Sequence, residues 1–202
     1  MDDFLKKIKA QVSDKEAMEH VKKIGEKIKK FGHTISGTVD GKGSLERPFA
    51  HTFGASFALG FELICFFPIK DKGLKIVGTI FNKIIELAKS KELDIKNQII
   101  NDERIYKLPL AMLILDEELQ KDIEKVWAKQ LERDSLCSKF STNDHQLILI
   151  IASDKDGILP WEENCSSYWP QMCPPPIVAI AQEEITGNDS LLSKLEKDYK
   201  IN

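Results

Sequence analysis

Three acidic residues beside apolar segments are the groups in this sequence best suited to acid–base chemistry. Glu62 stands at the head of the apolar run FELICFF, whereas Asp154 and Glu162 stand in the segment DKDGILPWEE, which follows the apolar run HQLILIIAS. A buried carboxylate can act as a general acid or base when its surroundings raise its pKa. Glu62, Asp154 and Glu162 are therefore the candidate catalytic residues.

A second set of residues could line a ligand site beside these carboxylates. His51, Thr52 and Gly54 stand in the predicted strand FAHTFGAS, and a glycine in a strand often marks the close approach of another backbone or a ligand. Gln146 opens the strand before the acidic loop, and Trp161 lies within that loop. These five residues are the candidate ligand-binding residues.

The same residues also have structural explanations. Glu62 could accept hydrogen bonds from the backbone N–H groups of a neighbouring turn, and a lone His51 in a strand is commonly a core histidine that donates to a carbonyl. Residues 154–157 could form an Asp-Gly turn, with Pro160 fixing the chain and Trp161 filling the core. The sequence leaves both explanations open.

Motifs for common catalytic and metal-binding sites are missing from the sequence. It contains no G-x-G-x-x-G, G-x-x-x-x-G-K-[ST], H-E-x-x-H or G-x-S-x-G, and the D-x-D-G pattern at 154–157 lacks the further ligands of an EF-hand. The four cysteines do not follow zinc-ligand spacing, and we expect them to be reduced thiols; they are Cys65, Cys137, Cys165 and Cys173. We therefore predict no metal and no cofactor.

The length and composition indicate a soluble protein of one domain, or of one domain with appendages. The chain has 202 residues and a net charge of −3, so a core can form without disulfides and no global field favours nucleic acid. No segment has the apolar length of a signal peptide or of a membrane-spanning helix. We expect a cytoplasmic protein without a membrane span.

The first 31 residues predict a lysine-rich amphipathic helix that ends at Gly32. Steps of three and four place its apolar residues on one face and the lysines on the other. The apolar residues are Val21, Ile24, Ile28 and Phe31. The lysine face could be solvated, or it could bind a membrane surface or an anionic partner.

Alternation and helical periodicity predict the remaining elements. Strands are expected at 33–39, 49–56, 61–67, 105–115, 145–153 and 174–184, and helices at 74–93 and 117–134. Pro109 makes 105–115 a candidate edge strand, because proline cannot donate to a ladder. Asp116 can cap the helix that follows, and residues 190–202 could form a short helix.

The order of these elements predicts an α+β fold. We expect a mixed, mainly antiparallel sheet with helices packed mostly on one face. The chain divides into the helix at 1–31, a single α+β domain at 32–185 and a C-terminal tail at 186–202.

Several blocks of the sequence together resemble the bacterial family named domain of unknown function 4262. The family pattern has a faYTvGL segment, a nearby hPEl segment and a late Q-x-v-x-x-D-x-x-G-x-fPWe segment, and the resemblance covers roughly residues 25–175. His51 stands where the family has Tyr, and Phe61 stands where it has Pro. The matching positions are residues 51–55, Glu62, Gln146, Asp154, Gly157, Pro160, Trp161 and Glu162.

The family has no assigned activity, so the resemblance implies a fold and a residue cluster rather than a reaction. A weaker likeness links the segment GFELICF to suppressor-of-fused-like domains. Many bacterial members of that group look like immunity proteins, which implies a toxin-neutralising role.

Two functional hypotheses follow. In the first, the protein is a binding module, toxin-neutralising or effector-like, whose protein partner contacts the lysine-rich helix or an acidic, aromatic rim near Trp161 and Trp169. In the second, it is an enzyme or a binder of a small-molecule ligand, with a pocket between the HTFG strand, Glu62 and the loop 154–162. The missing catalytic motifs favour the first hypothesis.

Overall fold

The computed structural model describes residues 15–38, 49–66, 73–121, 145–166, 175–191 and 193–194. These residues divide into two compact units. The first unit holds the described parts of Met1–Ser36, Thr52–Glu62 and Leu115–Leu147, and the second holds those of Gly37–His51, Leu63–Ile114 and Ile148–Asn202. The predicted domain boundaries at residues 31 and 185 stay predictions.

The described ranges contain both helices and strands. The helices are α1 (Lys15–Phe31), α2 (Ser56–Leu59), α3 (Gly73–Lys89) and α4 (Pro175–Thr186). The strands are β1 (Thr34–Thr38), β2 (Phe49–Phe53), β3 (Phe61–Phe66), β4 (Gln98–Ile100), β5 (Leu110–Ile114) and β6 (Gln146–Ala152).

The six strands form one mixed, mostly antiparallel sheet in the order β1–β2–β3–β6–β5–β4. β2 pairs antiparallel with β3, and β5 pairs antiparallel with both β4 and β6. Every residue of β3 is buried, and β6 is buried from Leu147 to Ala152. These apolar runs are therefore covered on both faces, as their composition predicts. The predicted α+β class is confirmed.

Two helices bury the apolar stripes that periodicity predicts. α1 buries Val21, Ile24 and Ile28. Burial of one such side chain contributes about 1.5–3 kcal/mol relative to leaving it in water. The predicted stripe of α3 is also buried, at Val77, Ile80, Phe81, Ile84 and Ile85.

The predicted strand at 174–184 is wrong, because this segment belongs to α4. A short apolar run fits a buried strand or a buried helix equally well, and its β-branched residues favour a strand. Pro175 opens the helix, where a missing N–H group costs nothing. The helix ends before Gly187, whose φ is +71° and whose N–H donates to the carbonyl of Glu183.

The interpretation of residues 105–115 as an edge strand is also wrong. β5 begins at Leu110, directly after Pro109, and lies between β6 and β4. Pro109 therefore stands outside the ladder, where its carbonyl accepts the N–H of Ser153 at 3.2 Å. The edge belongs to β4, a strand of 3 residues that the sequence analysis missed.

Two further predicted helices fall partly within the described residues. Residues 117–121 are helical, and Oδ1 of Asp116 accepts the N–H of Leu119 at 2.7 Å, which confirms the predicted cap. Helix also occurs at 190–191 and 193–194. The predicted continuations at 122–134 and 195–202 lie outside the described residues. No helix within the described ranges is long and apolar enough to span a membrane.

Candidate functional site

Glu62 is a buried carboxylate that accepts hydrogen bonds from the residues just before β3. Its side chain is 3% exposed. Oε2 accepts the hydroxyl of Thr52 at 2.6 Å, and Oε1 accepts the backbone N–H groups of Gly54 at 2.9 Å and Ser56 at 3.0 Å. This is the structural role predicted for Glu62 as the alternative to catalysis. A buried carboxylate needs such donors to offset the loss of its hydration.

The segment that Glu62 holds is a tight turn, which we name the Gly54 turn (residues 54–60). The prediction of strand to residue 56 fails here, because Gly54 has φ +87° and the chain leaves β2. The N–H of Phe57 donates to the carbonyl of Gly54 at 3.3 Å, and the one-turn helix α2 follows. Gly60, with φ +77°, ends that helix, and β3 begins at the next residue.

The Gly54 turn packs against α1. A Cβ atom on residue 54 would lie 2.9 Å from Cγ2 of Ile28, closer than side chains tolerate. The backbone of Gly54 therefore lies directly against the Ile28 side chain, which is 6% exposed. Both residues belong to the first unit, so Glu62, the turn and α1 form one continuous arrangement.

Two residues that closely follow the partners of this contact in sequence carry exposed aromatic rings. Phe31 comes three residues after Ile28 and Phe57 three residues after Gly54, and each side chain is 59% exposed. The periodicity of α1 predicts that Phe31 belongs to the buried stripe, and this prediction is wrong. α1 ends at Phe31, and the next residue, Gly32, leaves the helix with φ +81°.

Three exposed lysines lie in the last five residues of α1, which ends at Phe31. Lys27, Lys29 and Lys30 are exposed, and Nζ of Lys30 lies 5.0 Å from the centroid of the Phe31 ring, within cation–π distance. We name the set formed by Lys27, Lys29, Lys30, Phe31 and Phe57 the basic–aromatic surface. Sequence analysis identifies the lysines but misses Phe57, whose only signal is an aromatic residue inside a turn bounded by glycines.

Charge is distributed unevenly along α1. Nearer its start, Lys22 lies 3.9 Å from Glu26, and Lys23 lies 3.5 Å from Glu19. Within the described part of the chain, the three lysines of the basic–aromatic surface form no ion pair. Excess positive charge is therefore concentrated at the end of the helix that carries Phe31.

The second predicted carboxylate, Asp154, is also buried and bonded to backbone. It belongs to the second unit and is 2% exposed. Its Oδ1 accepts the N–H groups of Asp156 and Ile158, both at 2.9 Å, and Oδ2 accepts the N–H of Ser166 at 3.0 Å. Hydrogen bonds from Ser166 and Ile158 hold the pKa of Asp154 below its usual range. The Asp154 carboxylate thus links its own turn to Ser166 through backbone hydrogen bonds.

The rest of this loop folds as a compact turn. Gly157 has φ +84°, as the Asp-Gly pattern predicts. Oε2 of the exposed Glu162 accepts the N–H of Leu159 at 2.5 Å, while the N–H of Glu162 donates back to the Leu159 carbonyl at 2.9 Å. Trp161, which fills the core in the structural explanation of this loop, is only half-buried, whereas Leu159 is 2% exposed. Trp169 lies outside the described residues.

The surroundings of Cys165 in this loop disfavour its thiolate form. Its thiol lies 3.6 Å from the carbonyl oxygen of Ile158. Burial, together with the charges of Asp154 and Glu162, raises the pKa of Cys165 to about 11. A thiol of this kind is almost entirely protonated near neutral pH, and the thiolate is the nucleophile.

The two remaining candidates occupy different places. His51 is 8% exposed, lies opposite Ile64 in the β2–β3 ladder, and stacks on Phe49 with ring centroids 5.7 Å apart. Gln146 is exposed, and its backbone N–H donates to the carbonyl of Gly60 at 3.0 Å. Among the described residues, no group of three or more His, Cys, Asp and Glu side chains is placed to hold a metal ion.

The structure therefore brings Thr52, Gly54 and Glu62 together in the first unit and places Asp154 and Glu162 in one loop of the second. The predicted pocket spanning both sets stays a prediction.

No protein-family model matches the chain, and neither a curated protein nor a solved structure is detectably similar to it. Membership of the family of domain of unknown function 4262 is therefore still a prediction, as is the likeness to suppressor-of-fused-like domains.

Proposed function

We propose that this chain is a protein-interaction module that binds its partner through the basic–aromatic surface. The observation that carries the proposal is the exposure of Phe31 and Phe57, each 59% exposed, beside the contact of Ile28 with Gly54. Aromatic residues are enriched at the centres of protein interfaces, because their burial releases much apolar surface at a small cost in conformational entropy.

The surface is held on a rigid support. The hydrogen bonds from Gly54 and Ser56 to Glu62 fix the turn that carries Phe57, and helix α1 fixes the backbone of Phe31. Binding groups on a preorganised support lose less conformational freedom on association than groups on a mobile loop. The buried carboxylate that resembles a catalytic group thus supports an interaction surface.

The same contacts leave the enzyme hypothesis with less support. Glu62 and Asp154 each accept hydrogen bonds from fixed backbone N–H groups, which account for their burial without a reaction. The raised pKa of Cys165 opposes nucleophilic catalysis by this thiol. The enzyme or small-ligand binder stays the alternative, and a pocket with bound ligand would restore it.

We also propose that the chain belongs to the bacterial family of domain of unknown function 4262. Thr52 and Gly54, which match its first segment, each donate a hydrogen bond to Glu62, which matches the second. Asp154 and Glu162, which match the third, each close part of one loop. We further propose a cytoplasmic location and a partner of the toxin or host-protein kind, which would make the module toxin-neutralising or effector-like.

Cross-linking in the native cells tests the proposed function. The wild type is compared with Phe31→Ser/Phe57→Ser and with the matched control Ile76→Ser/Ile99→Ser, which removes side chains 40% and 38% exposed in the second unit. Quantitative mass spectrometry should find a partner that the wild type and the control retain and the Phe variant loses. Circular dichroism confirms that all three fold. A partner retained by the Phe variant would refute this surface as the binding site.

A further inference from the structure

We infer that the basic–aromatic surface binds an acidic peptide segment carrying an aromatic or large aliphatic anchor residue. This inference rests on the proposed function and names the chemistry of the partner. It follows from the charges that α1 leaves unpaired and from the position of the two rings.

Charge complementarity points to an acidic segment. The ion pairs of Lys22 with Glu26 and of Lys23 with Glu19 balance the charge on the earlier turns of α1. Lys27, Lys29 and Lys30 follow within four residues and are all exposed. Carboxylates on a partner segment increase the rate of association with such a patch and fix the position in which the segment binds. A basic segment would be repelled.

The rings supply the apolar half of the recognition. Phe31 follows Ile28 by three residues and Phe57 follows Gly54 by three residues, and both rings are 59% exposed, so an apolar anchor residue of a partner can bury aromatic surface here. Lys30 already lies over the Phe31 ring at 5.0 Å. A carboxylate next to the anchor in sequence would therefore reach the Lys30 ammonium while the anchor covers the ring, which calls for acidic and apolar residues side by side.

A membrane surface fits the same residues less well. An amphipathic helix binds a bilayer by burying its apolar face between the lipids, but Val21, Ile24 and Ile28 of α1 are already buried in the protein, at 1–6% exposure. The acidic Glu19 and Glu26 on the exposed side would also face an anionic headgroup layer. The positive excess is local, which suits a peptide of a few residues.

Selection from a random dodecapeptide library displayed on phage tests the inference. The folded full-length protein is the target, and counter-selection uses Phe31→Ser/Phe57→Ser. Enriched clones should combine Asp or Glu with a neighbouring Phe, Trp, Leu or Ile. As labelled synthetic peptides, they should bind the wild type and Ile76→Ser/Ile99→Ser equally. They should bind the Phe variant at least tenfold more weakly, and Lys27→Gln/Lys29→Gln/Lys30→Gln about tenfold more weakly at low salt.

Vesicles of phosphatidylcholine with 30% phosphatidylserine are the rival probe. Sedimentation of the wild type with these vesicles, lost in the Phe variant, would overturn the inference in favour of a membrane surface. Enriched clones that are basic or uncharged, yet depend on Phe31 and Phe57, would overturn the acidic partner while leaving the proposed function intact. The absence of any clone that depends on the two rings would overturn the inference, and the cross-linking experiment would decide the proposed function separately.

Discussion

The side chain of Ile28 occupies the space beside residue 54 that any Cβ atom would need. A Cβ at this position would lie 2.9, 3.1 and 3.2 Å from Cγ2, Cγ1 and Cδ1 of Ile28. Gly54 also has φ +87°, a conformation that other residues rarely adopt. Glycine is therefore required here for two independent reasons, and both concern the joint between α1 and the turn that presents Phe57.

Replacing Gly54 with Ala should destabilise the protein and disturb the basic–aromatic surface. Backbone strain costs roughly 1–2 kcal/mol and overpacking against Ile28 a further ~1–3 kcal/mol. The matched control is Gly60→Ala, because Gly60 has φ +77° but a Cβ added there would meet no neighbouring atom within 4 Å. Urea denaturation should show a clearly larger loss of unfolding free energy for Gly54→Ala than for Gly60→Ala.

A double-mutant cycle separates the two contributions to the destabilisation by Gly54→Ala, the steric clash with Ile28 and the backbone strain. Ile28→Ala alone should cost about 2–5 kcal/mol, because it opens a cavity. Combined with Gly54→Ala, the total should fall below the sum of the two single losses, since the smaller side chain removes the clash. Additive losses, or equal losses for Gly54→Ala and Gly60→Ala, would show that Ile28 does not constrain this turn.

Glu62→Ala should be much more destabilising than Glu62→Gln. Alanine leaves the buried N–H groups of Gly54 and Ser56 without their acceptor, at a cost of about 3 kcal/mol or more. Glutamine keeps an oxygen for these two donors, and its amide group can donate to the Thr52 hydroxyl, so about half of that loss is expected.

Binding measurements then separate structure from chemistry at Glu62. A folded Glu62→Gln protein should retain the partner found by cross-linking. A Glu62→Ala protein as stable as the wild type would contradict the structural role. If Glu62→Gln folded normally but lost a measured activity, the enzyme hypothesis would replace the interaction module.

Periodicity and alternation were sufficient to predict most of the fold. The buried stripes of α1 and α3 and the apolar runs of β3 and β6 follow directly from residue types. α4 could not be predicted in the same way, because its run of buried residues carries no period. Only tertiary packing decides between helix and strand for such a segment.

The candidate site shows where sequence reasoning stops. The sequence correctly identifies Glu62 and Asp154 as carboxylates beside apolar segments, and it offers bonding to backbone N–H groups as one explanation for Glu62. The bonding of Thr52 to Glu62 joins residues ten positions apart and follows from the turn between them, which no local pattern specifies. The exposure of Phe31 depends on where the helix ends and on what lies beyond it, so a periodic pattern alone places it wrongly.

Asp154 should make stability depend on pH in acid. Its folded-state pKa lies below the ordinary value of ~4 for aspartate, so its contribution is fully present above pH ~4 and is lost as pH falls through the folded-state pKa. Asp154→Asn should lower the urea midpoint at pH 6. The difference in urea midpoint between this variant and the wild type should become smaller below pH ~4. Asp156→Asn is the control, because the side chain of Asp156 is exposed and only its backbone N–H donates to Asp154. A difference that stays constant to pH 2 would contradict this role.

Cys165 should react slowly with alkylating reagents in the folded protein. The rise of its pKa from 9.0 to about 11 lowers the thiolate fraction at pH 7.5 by roughly 100-fold. A more basic thiolate is intrinsically more nucleophilic, so the net effect is a rate about tenfold lower. Iodoacetamide labelling of Cys137→Ser/Cys173→Ser, read by peptide mass spectrometry with and without urea, measures this ratio. Asp154→Asn removes one of the charges that raise the pKa and should speed the labelling of the folded protein. Labelling that is as fast in the folded chain as in urea would instead identify Cys165 as an accessible, activated thiol and would reopen nucleophilic chemistry in this loop.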